Sequence, residues 1–255
     1  MKGESTMRRH GSTRFFKGSV LGVLLASVAS GCGLGFLASA PWIRNADNND
    51  VVVLGDSIWA LSGEIQANLH AWNGGTFRNY AVSGAELIGG VIAPSVVQQY
   101  DIAMSDNPNS TILVMDGGGN DILLPAVAFD PYDCLTQWYE WGRLSSSCKN
   151  FIDDIYVDGV NFLNDVHADG FTDIVFLGYY YTKNGLLWVD DLKEAIDYGD
   201  ARLAQACQYS AADCTFVDPR STIRDRDITL DGVHPNSTGS RKLAELIWPV
   251  LQPKL

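Results

Sequence analysis

The chain has 255 residues, 46% of them hydrophobic, and carries 18 Lys and Arg against 30 Asp and Glu for a formal net charge of −12. That length and apolar content supply one substantial core and exclude large-scale disorder. The acidic balance repels phosphate backbones and anionic lipid headgroups, which argues against a nucleic-acid partner.

The first forty residues read separately from the rest. Lys2, Arg8, Arg9, Arg14 and Lys17 precede an apolar stretch over residues 20–28 and then small residues, the order of a bacterial-type export signal. Two exits compete. "LASA" ending at Ala40 suits an ordinary signal peptidase, whereas "VASGC" ending at Cys32 resembles the lipobox of bacterial lipoproteins. Pro41, at the scissile peptide of the first, favours the second. The expectation is a signal peptide over residues 1–31, a lipid on the Cys32 thiol, a tether over 32–48 and one domain over 49–255, with plain secretion or a periplasmic location as the alternative. Without residues 1–31 the chain keeps 13 basic and 29 acidic side chains, a net charge of −16. Membrane attachment is therefore expected only through the lipid.

Within the domain, strand-like runs fall at 51–54, 77–81, 111–115, 173–177 and 215–217, and segments with helical spacing at 58–70, 91–105, 151–168 and 192–210. A last helix, 239–246, is expected to stop before Pro249. Strands alternating with helices predict an α/β fold with a parallel sheet covered on both faces. Residues 125–149 break the rhythm: they are aromatic, lack a clean period and hold Cys134 and Cys148. They read as a disulfide-stapled insertion. Export makes the four cysteines beyond Cys32 staples rather than reagents. Of the three possible pairings, short loops favour Cys134 with Cys148 and Cys207 with Cys214.

In an open parallel sheet, ligands collect beyond the carboxyl ends of the strands, so the loops after each strand carry the candidates. The first offers Gly55, Asp56 and Ser57; the others offer "NYAVSGAE", "VMDGGGND" and "LGYYYTKN". A nucleophilic serine needs a base. His70 and His167 sit in helical patterns, whereas His234 lies in the loop "LDGVHPN", three residues after Asp231. One turn would let Asp231 hold the imidazole Nδ1–H and leave Nε2 facing Ser57. Read alone, "DGVHP" serves equally well as a capping turn before the last helix.

Four short blocks in fixed order decide between these: "GDSI" at Ser57, "AVSGA" at Gly84, "GGND" at Asn120 and "DGVHP" at Asp231 and His234. Together they resemble the SGNH hydrolase, or GDSL esterase/lipase, family, with Ile58 where leucine is usual. The resemblance implies a flavodoxin-like three-layer α/β/α sandwich. It also implies a Ser57, His234 and Asp231 triad, with an oxyanion hole built from the Ser57 and Gly84 N–H groups and the Asn120 amide. No G-x-S-x-G surrounds Ser57, which separates the chain from the α/β-hydrolases. The implied activity is hydrolysis of carboxylic esters through an acyl-enzyme, without metal or organic cofactor.

Two alternatives stand beside it. One is a deacetylase or acyltransferase acting on acylated cell-envelope saccharides; the other is a non-catalytic lipid-anchored binding protein. Substrate-lining candidates are Trp138, Tyr139, Trp141, Tyr179 and Tyr180. These aromatics suit stacking on a sugar ring, walling an acyl chain, or forming a small core of the insertion, and the three readings stay open. Asp56 and Asp121 are read as tying loops together by hydrogen bonds.

Overall fold

The computed structural model describes residues 40–90, 92–136, 142–187 and 189–255, and the sheet that organises them is the five-stranded parallel one the spacing predicts. The strands are β1 (Asn48–Leu54), β2 (Phe77–Asn79), β3 (Ile112–Met115), β4 (Asp173–Leu177) and β5 (Asp213–Val217), in the spatial order β2-β1-β3-β4-β5. Every pairing is parallel. This is the flavodoxin-like order, whose reversal point lies between β1 and β3.

The helices are α1 (Ser57–Ala60), α2 (Glu64–Asn73), α3 (Val96–Asp106), α4 (Gly119–Ala128), α5 (Ser146–Ala168), α6 (Lys193–Tyr209) and α7 (Ser237–Leu251). Successive strand residues point to opposite faces, and the core divides accordingly. Val51, Val53, Ile112, Val114, Val175 and Leu177 pack in one layer with α1, α2 and α7. Val52, Leu54, Leu113, Met115, Ile174 and Phe176 pack in the other with α3, α5 and α6. Burial on both faces is why "VVVL" and "ILVM" read as continuous apolar runs rather than alternating ones.

Element boundaries move for local reasons. The helical spacing at 58–70 is broken by a turn at residues 61–63 into α1 and α2. Helix α3 starts later than expected, at Val96, because Ser95 and Gln98 close a capping box after Pro94. Helix α7 does not stop before Pro249 but runs through it to Leu251. Ile247 and Leu251 are fully buried in the first core layer, and that burial outweighs the backbone bond the proline cannot donate.

Helix α4 was not foreseen. It occupies the Gly-rich block and continues through Pro125 into the segment read as an insertion. Residues 129–136 and 142–145 then fold over a third, small core in which Cys134, Leu144 and Cys148 meet Leu192, Ala195 and Val233. Disulfides join Cys134 to Cys148 and Cys207 to Cys214, the pairing that short loops favour. The signal peptide, Cys32 and most of the tether lie outside the described residues, as do Trp138, Tyr139 and Trp141. Among the described residues, no helix is long and apolar enough to cross a membrane.

Candidate active site

Strand β1 delivers Ser57 into a tight turn. Gly55 adopts φ +152°, and a Cβ there would come within 2.2 Å of Asp116 Oδ1 and 2.6 Å of the Trp59 ring. Only glycine fits. The buried Gln99 amide grips the same residue from both sides, accepting from the Gly55 N–H (2.9 Å) and donating to its carbonyl (3.0 Å). Asp56 then caps α1 by accepting from the Ile58 N–H at 2.8 Å, which leaves Ser57 as the first helical residue, 7% exposed.

The loop before α7 delivers the other two residues. Asp231 Oδ1 accepts from the N–H groups of Val233 (2.8 Å) and His234 (3.0 Å), while Oδ2 lies 2.8 Å from His234 Nδ1. His234 Nε2 lies 2.8 Å from Ser57 Oγ. Burial would raise the Asp231 carboxyl, but the hydrogen bond and charge of His234, together with the two backbone N–H groups, hold it well below the ordinary range. An ionised Asp231 fixes the proton on Nδ1 and makes Nε2 an acceptor toward the serine. The geometry at "DGVHP" holds both a histidine–carboxylate contact and a helix cap. The turn orients Asp231 toward His234, and Asn236 two residues later caps α7 by accepting from Thr238 and Gly239.

This loop is strapped to the one after β4. The N–H groups of Lys183, Leu186 and Leu187 donate to the carbonyls of Gly232 (2.9 Å), Leu230 (3.1 Å) and Asp231 (3.2 Å). From the other end of the same loop, Tyr180 O–H donates to the Val233 carbonyl at 2.7 Å.

Asn120, in the first turn of α4, is buried and lines the same cavity as Ser57. One hydrogen of its amide goes to the Ala85 carbonyl at 2.9 Å. Gly84, with φ +82°, precedes that carbonyl in the loop after β2, which is fastened to β1 by the Val82 N–H to Gly55 carbonyl bond of 3.0 Å. The second and third blocks are therefore in contact through Asn120 and Ala85. Asp121 closes the same junction by accepting from the Leu87 N–H at 2.8 Å. Burial is the first cause, and the charge of Glu86 adds to it, in pushing the Asp121 carboxyl up to about 7.

A cavity of about 70 Å³ opens beside Ser57 and Asn120. Tyr179 and Tyr180 line it along with Ile58, Ile122, Leu192 and Leu203. Tyr132 lies apart from it, stacked on Phe151 at 3.9 Å and lining a separate, acidic depression with Glu86 and Asp121.

Three contributors were not singled out from sequence. Asp116 at the end of β3 is completely buried and accepts from the Asp56 N–H at 2.8 Å, while Tyr179 O–H donates to Asp56 Oδ2 at 2.9 Å. Burial, and then the adjacent Asp56 charge, push the Asp116 carboxyl well above the ordinary value. An acidic residue ending the apolar run "ILVM" was the available signal. Asp200 on α6 accepts from the Tyr179 N–H at 2.9 Å, and burial pushes its carboxyl up to about 8. Gln99, in a helical pattern, gave no signal of its own. Among the described residues, no group of three or more His, Cys, Asp or Glu could hold a metal ion.

No family model matches the chain, and no curated protein matches it in sequence. Solved structures do match. A carbohydrate acetylesterase from Sinorhizobium meliloti aligns over 82% of this chain and 100% of its own, at 10% identity and a TM-score of 0.55. A carbohydrate esterase family 2 enzyme with a carbohydrate-binding domain, from Corynascus thermopiles, aligns over 84% of this chain and 69% of its own, at 16% identity and a TM-score of 0.53. A member of the lipolytic protein G-D-S-L family from Veillonella parvula aligns over 79% of this chain and 97% of its own, at 16% identity and a TM-score of 0.51. The fold of this chain is the SGNH-hydrolase fold, shared with carbohydrate esterases and G-D-S-L lipolytic proteins.

Proposed function

We propose that the protein is a serine carboxylic ester hydrolase of the SGNH type, with Ser57 as nucleophile, His234 as general base and Asp231 as the group that orients the base and stabilises the imidazolium. The observation that carries this reading is the unbroken chain Asp231 Oδ2 to His234 Nδ1 to Nε2 to Ser57 Oγ, with 2.8 Å at each link. Ser57 Oγ bonds to the ester carbonyl carbon while its proton passes to His234 Nε2. The carbonyl oxygen becomes an oxyanion, for which the Ser57 and Gly84 N–H groups and the Asn120 amide are the proposed donors. Collapse breaks the carbon–oxygen bond of the ester, and the leaving alkoxide takes the proton from His234. Water repeats the sequence on the acyl-enzyme, releasing the acid and restoring Ser57.

A second reading, removal of acetyl groups from envelope saccharides, draws support from the carbohydrate esterases among the structural neighbours. Export is part of the proposal, supported by the two disulfides, and Cys32 is the proposed lipid site, supported by "VASGC". The mass of the mature amino-terminal peptide tests that assignment.

The central test is covalent. An alkyl phosphonofluoridate should label Ser57, found by peptide mass, and block hydrolysis of p-nitrophenyl butanoate; Ser57→Ala should neither label nor turn over. Undiminished hydrolysis by folded Ser57→Ala would refute the reading.

A further inference from the structure

The cavity beside Ser57 is a partly open slot between α4 and α6, and its lining is mostly apolar. Ile122 and Leu123 come from α4, Ala195, Ile196 and Leu203 from α6, and Val233 closes the side nearest His234. Most of the polar atoms that line it beyond Ser57 and Asn120 are engaged. Asp56 accepts from Ile58 and Tyr179, Thr182 donates to the Val189 carbonyl, and Asp200 accepts from the Tyr179 N–H through Oδ1 while its Oδ2 lies 3.5 Å from Arg220 Nε without a hydrogen bond. The two tyrosine hydroxyls are spent on Asp56 and on the Val233 carbonyl. A sugar placed there would bury hydroxyls without partners, at a cost that a hydrocarbon chain does not incur.

We infer that this slot is an acyl-chain site, and that the substrate carries an acyl group of about six to eight carbons rather than acetyl. The inference rests on the serine-hydrolase reading and adds the substrate class to it. Size sets the length. At roughly 10–15 Å³ for each water-sized occupant, 70 Å³ receives about five to seven chain atoms beyond the carbonyl carbon. The slot has a floor: Gly118, Ile122, Gly199 and Leu203 also border a further void of about 10 Å³ that reaches Ile152 and Ile155. Leu203 and Ile122 therefore act as the stop. Gly199 is the gap through which the chain passes, because a Cβ there would meet only Ile122 Cδ1 at 3.6 Å. A larger side chain at 199 has the slot itself as its space.

The experiment is a chain-length series of p-nitrophenyl esters, from acetate to decanoate, on the full chain with its disulfides formed. For the wild type, kcat/KM should climb roughly fourfold per added methylene up to six to eight carbons and fall at decanoate. Gly199→Val should lower the ratio of hexanoate to acetate kcat/KM at least about tenfold, and Gly199→Ala should lower it by a smaller step. Leu203→Ala should move the maximum to longer chains. A thermal melt of each variant reports folding, and the ratio removes any change in the amount of active protein. Acetate as best substrate, or a profile unmoved by Gly199→Val, overturns the acyl slot while Ser57 labelling leaves the serine-hydrolase reading standing. Failure of folded wild type both to turn over any ester and to label at Ser57 means the underlying reading has failed, and the acyl slot falls with it.

Discussion

Replacing Asp231 by Asn changes one atom, and the backbone decides what that change does. Oδ1 is held by two N–H donors, from Val233 at 2.8 Å and His234 at 3.0 Å. The amide oxygen of Asn must take that place, since an NH2 group there would face two donors and leave both unsatisfied. The NH2 group is then turned to His234 Nδ1, 2.8 Å away in the native site. Nδ1 has to accept, the ring proton moves to Nε2, and Nε2 can no longer take a proton from Ser57. A wrong tautomer of this kind in a serine triad lowers kcat by about 10⁴, or roughly 5–6 kcal/mol of barrier. The assay is initial-rate hydrolysis of p-nitrophenyl butanoate, with active sites counted by phosphonate labelling. Expected are a kcat near 10⁻⁴ of the wild type, a KM within a few-fold and an unchanged melting temperature. A folded Asp231→Asn enzyme that keeps a tenth of wild-type kcat would refute the argument that the backbone pins the amide.

Two further outcomes follow from the same geometry. Asn120→Ala should lower kcat by roughly a hundredfold or more, about 2.7–4 kcal/mol, with KM little changed, because in the proposed mechanism the second amide hydrogen serves the developing oxyanion and not the bound ester; equal rates would remove Asn120 from the proposed hole. Asp121, with its carboxyl pushed up to about 7, keeps a proton in the folded state that the unfolded chain releases above about pH 4, so its contribution to stability falls as pH rises from about 4 to 7. Urea unfolding at pH 5 and pH 7.5 should therefore show Asp121→Asn gaining on the wild type at the higher pH, by at most about 1.4 kcal/mol per pH unit, and parallel behaviour of the two proteins would contradict this.

The sheet and the contact of Asp231 with His234 were legible because their signals are local. An apolar run buried on both faces ends at a glycine, and three residues suffice to set Asp231 against His234. The four blocks also predicted the neighbourhood of Asn120 and Gly84, which share the Ala85 junction. What escaped notice depends on packing. Helix α4 starts in glycines and contains Pro125, so its sequence reads as loop, yet Asn120 and the cavity wall both stand on it. Pro249 is carried by the buried Ile247 and Leu251. Asp116 is silent in sequence because its role, receiving the Asp56 N–H beneath the nucleophile, exists only once β1 and β3 lie side by side.

The strap between residues 183–187 and the Asp231 loop divides the labour of the site. Three backbone bonds and the Tyr180 hydroxyl make the β4 wall of the slot and the platform of the base a single mechanical body. Any change of shape on that wall is felt at His234, so selectivity gained there is taxed in turnover. The opposite wall, on α6, lies off that strap and meets the β4 wall through the Asp200 bond to the Tyr179 N–H. Gly199 and Leu203 are positions from which descendants of this protein, natural or engineered, can retune the acyl group while the catalytic rate stays put.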